Sequence, residues 1–168
     1  MKIIITQSKV VLSVVLCCLA GMLSSCATKA PPPPAYGVVA NQLPAIQPGY
    51  ARLFLFCMKN SNVYSFYVDD KKVGKVWGLN FLFVDHPAGS CEVAADYFQV
   101  FKKTRVKLNL VAGETRYVLV EYDPTIHLQD LFLKPLPRLI ILEPEQAVPA
   151  LKQCYYVGPS LPSFSPSK

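Results

Sequence analysis

Asn62-Val63-Tyr64-Ser65-Phe66-Tyr67-Val68-Asp69 is followed by Asp70-Lys71-Lys72 and then by Val73-Gly74-Lys75-Val76-Trp77. Two runs rich in β-branched and aromatic residues flank a polar turn, the pattern of a β-hairpin. Upstream, Arg52 to Met58 is a short continuous apolar run suited to a strand buried on both faces. Downstream, Gly78 to Asn80 breaks the chain before Phe81 to His86, a further β-type run closed by Pro87-Ala88-Gly89, and Cys91 to Phe98 follows. Arg105 to Leu110 alternates, with Arg105, Lys107 and Asn109 on one face and Val106, Leu108 and Leu110 on the other, which predicts a half-buried strand. Ala112-Gly113-Glu114 turns the chain, and Thr115 to Tyr122 completes a second expected hairpin.

About seven short strands at this spacing predict an all-β fold, a small antiparallel β-sandwich over residues 50–143. Helix-period stretches are absent between the strands, which argues against a parallel α/β sheet. Arg138 to Glu143 has the character of a last strand, and Pro144-Glu145-Gln146 that of a helix start, with Pro149 expected to kink or end the helix early. Residues 144–168 are therefore expected to form a short irregular or helical C-terminal extension whose Pro/Ser-rich tail from Ser160 is disordered.

The N-terminal part differs in composition. Lys2 and Lys9 supply positive charge around an apolar run, Val10 to Leu23, broken only by Ser13. A transmembrane helix needs about 20 apolar residues, so the run fits the apolar region of a secretory signal better than a span. It ends in Leu23-Ser24-Ser25-Cys26, which resembles the lipobox of bacterial lipoproteins. The resemblance implies a signal peptide over 1–25, recognition of Leu23, Ser24 and Ser25 by the signal peptidase, and a diacylglycerol on the Cys26 thiol as membrane anchor. Ala27, in place of an aspartate, points to the outer membrane where the organism has one. Residues 26–49 read as a tether, since Pro31-Pro32-Pro33-Pro34 must be extended.

A second resemblance lies in the domain. Tyr67-Val68-Asp69-Asp70-Lys71-Lys72-Val73-Gly74 resembles the Tyr-Val-Asp-Gly-Lys-x-Val-Gly hairpin of PEGA-like domains, and of a family of bacterial lipoproteins of unknown function built on the same hairpin. Pro87-Ala88-Gly89-Ser90 sits where that pattern has Pro-Pro-Gly-Lys, Val111 to Tyr117 resembles its closing segment, and Gly49 to Leu53 fits its opening. These motifs are turn chemistry: Asp69, Asp70, Gly74, Gly89 and Gly113 are the structural positions they mark. The resemblance implies a small β-sandwich in an envelope protein and no substrate, cofactor or catalytic residue. Asp70 replaces the usual turn glycine, and Ser90-Cys91 replaces the usual Lys-His.

Composition sets the remaining bounds. Hydrophobic residues make up 52% of the chain and charged residues 17%; part of the apolar excess belongs to the signal segment. The net charge is +6, and removing Lys2 and Lys9 leaves 6 − 2 = +4, spread in pairs such as Lys71–Lys72 and Lys102–Lys103. An exported chain of this kind is not expected to bind nucleic acid. Asp85, His86, Ser90 and Cys91 bring catalytic residue types together, but strand neighbours point to opposite faces, so Asp85 and His86 are not expected to pair. No metal ligand spacing of Cys-x-x-Cys or His/Cys type is present, and the lysines after Asp69-Asp70 would repel a cation. Cys57, Cys91 and Cys154 remain after the anchor; buried free thiols are one reading, and a Cys57–Cys91 or Cys91–Cys154 disulfide the other. The expected function is a non-catalytic binding or structural module for an envelope protein or a cell-wall component, without cofactor, against the alternatives of an envelope hydrolase or a carrier of an apolar small molecule.

Overall fold

The computed structural model describes residues 32–59, 62–97, 103–122 and 137–159. The signal segment with Leu23, Ser24, Ser25 and Cys26, and the Pro/Ser-rich tail, lie outside the described residues. The fold described here belongs to the compact unit Pro33–Lys168.

Among the described residues, nine strands form two sheets. They are β1 (Tyr50–Cys57), β2 (Val63–Val68), β3 (Lys71–Trp77), β4 (Asn80–Pro87), β5 (Gly89–Tyr97), β6 (Thr104–Leu110), β7 (Thr115–Tyr122), β8 (Pro137–Leu142) and β9 (Tyr155–Tyr156). The described residues also form two short helices, α1 (Tyr36–Ala40) and α2 (Pro144–Leu151). The first sheet runs β8-β7-β1-β4-β9 and the second β3-β2-β5-β6. The molecule is thus a β-sandwich, with more strands than the sequence announced because the two-residue β9 carries no periodic signal.

β2 and β3 form the hairpin read from the sequence, with one β-bulge between Phe66 and Tyr67. The second expected hairpin does not form. β6 pairs with β5, whereas β7 pairs with β1 and β8, so the Ala112-Gly113 turn carries the chain from one sheet to the other. Arriving from the opposite sheet, β7 enters beside β1 in the same direction, and this pairing is parallel. β9 returns through α2 and pairs with β4, again in parallel. Both parallel pairs therefore have the long connections such geometry requires.

Alternation explains the packing. Ala51, Leu53, Leu55 and Cys57 of β1 face the second sheet, where they meet Tyr64, Phe66, Cys91, Val93 and Leu108 in the main core. Phe54 and Phe56 point the other way, into a second core with Phe81, Tyr117, Ala147, Leu151 and Tyr156. The continuous apolar run predicted for β1 is therefore buried on both faces. Each such side chain contributes about 1.5–3 kcal/mol of transfer free energy.

The second core corrects two boundaries. Part of the expected tether folds: α1 packs Val39 into this core, and Tyr36 meets Phe54 and Phe81 edge-on at ring-centroid distances of 5.9 and 5.6 Å. The expected C-terminal extension likewise belongs to the fold, because Ala147, Leu151 and Cys154 are fully buried there. Nor does Pro149 stop α2, which continues to Leu151.

Candidate functional site

The site lies where the β2–β3 turn, the end of β4 and the start of β5 meet. Asp69 and Asp70 form a two-residue turn with φ of 47° and 61°. Positive φ at both central positions matches the primed turn that suits strand twist. It is a demanding conformation for residues other than glycine or asparagine, although aspartate tolerates it. Asp69 is latched to β5 twice: its N–H donates to the Glu92 carbonyl at 2.9 Å, and its Oδ1 accepts the Glu92 N–H at 2.9 Å.

The other carboxylate oxygen, Oδ2, lies 2.8 Å from His86 Nε2, and His86 Nδ1 lies 2.8 Å from the Pro87 carbonyl oxygen. A carbonyl only accepts, so Nδ1 carries a proton. The backbone bond from Glu92, and then the bond with His86, hold the Asp69 carboxyl below its ordinary range. Cys91 completes the group. Its Sγ, the Asp69 carboxylate and the His86 ring nitrogen all lie within 4.8 Å of one another. Cys91 is only 1% exposed. Burial, and then the Asp69 charge, push its thiol up to about 11.

Strand parity explains who meets whom. Leu82 faces the space between the sheets, and two alternations further along β4 so does His86; Cys91 precedes the inward Val93 and Ala95 on β5. Asp85 points the other way, as expected. It holds Arg52 by two bonds, Nε to Oδ1 at 2.6 Å and Nη2 to Oδ2 at 2.7 Å, while the guanidinium lies 5.0 Å from the Phe83 ring centroid. Ser90 alternates with Cys91 and faces outward. The set Asp85, His86, Ser90 and Cys91 is therefore split, and Asp69 is the carboxylate that reaches His86. In the sequence Asp69 reads as a turn residue, with lysines after it that argue against a cation. The inward parity of His86 and Cys91 was legible, but the register that lays Asp69 against Glu92 was not.

The remaining marked positions have structural roles. Asp70 bonds Arg105 at 3.0 Å, and Arg105 also bonds Glu92, all near the surface. Gly89 and Gly113 take φ of 123° and 82° and make turns. Gly74 differs from that expectation: a Cβ there would lie 2.5 Å from Leu82 Cδ2, so the residue is small because a facing side chain occupies the space.

Cys57, Cys91 and Cys154 are free and buried. The Cys57–Cys91 bridge is ruled out by position. Cys57 pairs with Asn80 at one end of β4, whereas Cys91 follows Pro87 at the other end. A strand of this length spans more than 20 Å at roughly 3.3 Å per residue, and a disulfide needs Cα atoms within about 7 Å. Cys154 belongs to the second core and Cys91 to the first, so the five-stranded sheet separates that pair.

Among the described residues no helix is long and apolar enough to cross a membrane. Comparison of the sequence with protein-family models gives no match, and comparison with curated proteins gives none either.

Proposed function

We propose that this chain is a bacterial envelope lipoprotein, anchored through a lipid on Cys26, whose β-sandwich is a non-catalytic binding or structural module for a protein or cell-wall partner. The resemblance of Leu23-Ser24-Ser25-Cys26 to a lipobox supports the anchor, and that of the Tyr67–Gly74 hairpin to PEGA-like domains supports the kinship. The observation that carries the binding role is an apolar edge. Trp77, Leu79 and Tyr155 are 46%, 42% and 46% exposed, and the Tyr155 N–H donates to the Leu79 carbonyl at 2.8 Å. Large apolar side chains gathered at a surface are a common mark of partner contact.

The polar groups favour the same reading over a hydrolase. Both His86 nitrogens are engaged, Asp85 is committed to Arg52, and the Cys91 thiol is buried and high in pKa. In this group the imidazole is held by Asp69 and the Pro87 carbonyl, and the thiol beside it is buried rather than open to a substrate.

Fractionation with lipid labelling, comparing wild type with Cys26→Ala, tests the anchor, and crosslinking in intact cells tests the module. Labelled, membrane-bound wild type with a discrete crosslinked partner is expected, the partner being lost in Trp77→Ala/Tyr155→Ala. Unchanged labelling of Cys26→Ala defeats the anchor, and an unchanged crosslink in the double variant defeats the apolar edge.

A further inference from the structure

We infer that Asp69, His86 and Cys91 form a binding site for a divalent cation of zinc type, joining the two sheets of the sandwich at one end. The inference does not depend on the lipid anchor or on the apolar edge. A carboxylate, an imidazole and a thiol, with ligand atoms within 4.8 Å of one another, are the oxygen, nitrogen and sulfur donors that zinc accepts. His86 comes from the five-stranded sheet, and Cys91 and the Asp69 turn from the four-stranded one, so a bound ion would reinforce an end of the sandwich that the His86–Asp69 bond and the β4–β5 turn already join.

The surrounding bonds are those of a ligand set. A metal-binding imidazole characteristically donates its other N–H to a carbonyl or carboxylate, which fixes the ring and the tautomer. His86 Nδ1 faces the Pro87 carbonyl in this way, leaving Nε2 for the ion. Asp69 repeats the arrangement: Oδ1 is occupied by the Glu92 N–H, and Oδ2 points at Nε2. The outer bonds are thus made by the atoms that would not bind the metal, while the atoms that would are turned toward one another. Cys91 supplies the inner wall, and Asp69, whose side chain is 49% exposed, opens the fourth place to water.

The fit needs movements of up to about an ångström. At zinc bond lengths of about 2.0–2.3 Å, tetrahedral partners stand roughly 3.3–3.7 Å apart, so Asp69 Oδ2 and His86 Nε2, now at 2.8 Å, must separate by several tenths of an ångström, and Cys91 Sγ, in a group that spans up to 4.8 Å, must draw closer to them. The turn carries Asp69 at the surface, where such a shift is least hindered. On binding, the thiol proton and the proton shared between Nε2 and Oδ2 pass to solvent, and no bond other than those to the metal forms. The lysines after the turn do not bar the ion: Lys71 and Lys72 are exposed, and Lys71 is the weakest of the influences on Asp69.

The test uses the full chain in detergent, with Cys17, Cys18 and Cys26 changed to Ser so that they contribute no thiolate. Zn²⁺ is titrated by calorimetry, and Co²⁺ serves as the spectroscopic probe. One Zn²⁺ per chain is expected, with a thiolate-to-cobalt charge-transfer band that Cys91→Ser abolishes. His86→Gln and Asp69→Asn should each weaken Zn²⁺ binding at least tenfold, while Lys107→Gln, at an exposed position of β6 outside the group, should leave it unchanged. Asn tolerates the positive φ at position 69, and His86 lies toward the edge of the core, so these two variants carry the test if Cys91→Ser does not fold by circular dichroism. Failure to bind either ion at micromolar free metal, or undiminished binding in both His86→Gln and Asp69→Asn, overturns the site and leaves the anchored-module reading as it stands.

Discussion

The β2–β3 turn shows how much can rest on two residues. Asp70 sits at φ 61°, where a side chain other than that of Asn or Asp is strained. Asp70→Ala and Asp70→Gly both remove the Arg105 bond, so their difference isolates the backbone. The left-handed penalty outweighs the extra chain entropy of glycine, and the alanine variant should be less stable by about 0.5–1 kcal/mol in urea titrations. Equal stability would mean that the turn does not hold this conformation in solution. Glu114, after the sheet-crossing turn, gives a pH dependence. Burial raises its pKa, but the Arg116 guanidinium, whose Nε donates to it at 2.8 Å, and a backbone bond from Val111 bring it below its ordinary value of 4.5. A depressed carboxylate stabilises the fold above its unfolded pKa, and that contribution is lost as pH falls through the folded value. The stability gap between wild type and Glu114→Gln should therefore be full at pH 7 and shrink below about pH 4, read from urea midpoints; a constant gap would refute the linkage.

Among the elements, the strands announced themselves and the covering layer did not. β1, β2, β3, β4 and β5 were legible because apolar and β-branched runs ended in turn residues, and β1 was legible even in its two-sided burial. The partner of β7 was not legible. A tight Gly-containing turn between two alternating runs reads as a hairpin whether the chain folds back or crosses between sheets. The start of α2 was legible in Pro144-Glu145-Gln146, but α1 and β9 escaped notice because each is too short to show a period, although Tyr36, Val39 and Tyr156 join Ala147, Leu151 and Cys154 in closing the second core. Leu151→Ala tests that assignment. As part of the core it should cost about 2–5 kcal/mol with one cooperative transition by fluorescence and circular dichroism. A loss below about 1 kcal/mol, the range of ordinary surface changes, would return residues 144–159 to the status of an appendage. The Asp69–His86–Cys91 group was half legible, since parity aimed two of its members inward, while the third depended on a register that only the folded sheet supplies.

For the whole molecule, the distribution of thiols is the most telling chemistry. Cys57 and Cys91 lie in one core and Cys154 in the other, each free. Burial, and then neighbouring charge, push Cys91 and Cys154 up to about 11. Only the thiolate reacts, so the native protein at pH 8 should resist aromatic disulfide reagents, with all three thiols becoming reactive in guanidinium. The measurement is reagent absorbance on the variant lacking Cys17, Cys18 and Cys26; rapid native labelling of Cys91 or Cys154 would contradict the burial described. The resemblances at the lipobox and the hairpin support only the proposed location and kinship; turn motifs specify backbone shape and leave the identity of a partner to the surface that the fold exposes.

The double burial of β1 has a consequence in time. Tyr36, Val39 and Phe81 lie near β1 in the chain, but the rest of what covers its outer face follows much later, Tyr117 and then Ala147 to Tyr156. Until those arrive, Phe54 and Phe56 are only partly sheltered, and the parallel register with β7 cannot be set. Folds that must wait for distant partners close slowly, so the first strand is safe only once the chain is available through Tyr156. A nascent chain released short of Tyr156 would present those phenylalanines to chaperones and proteases.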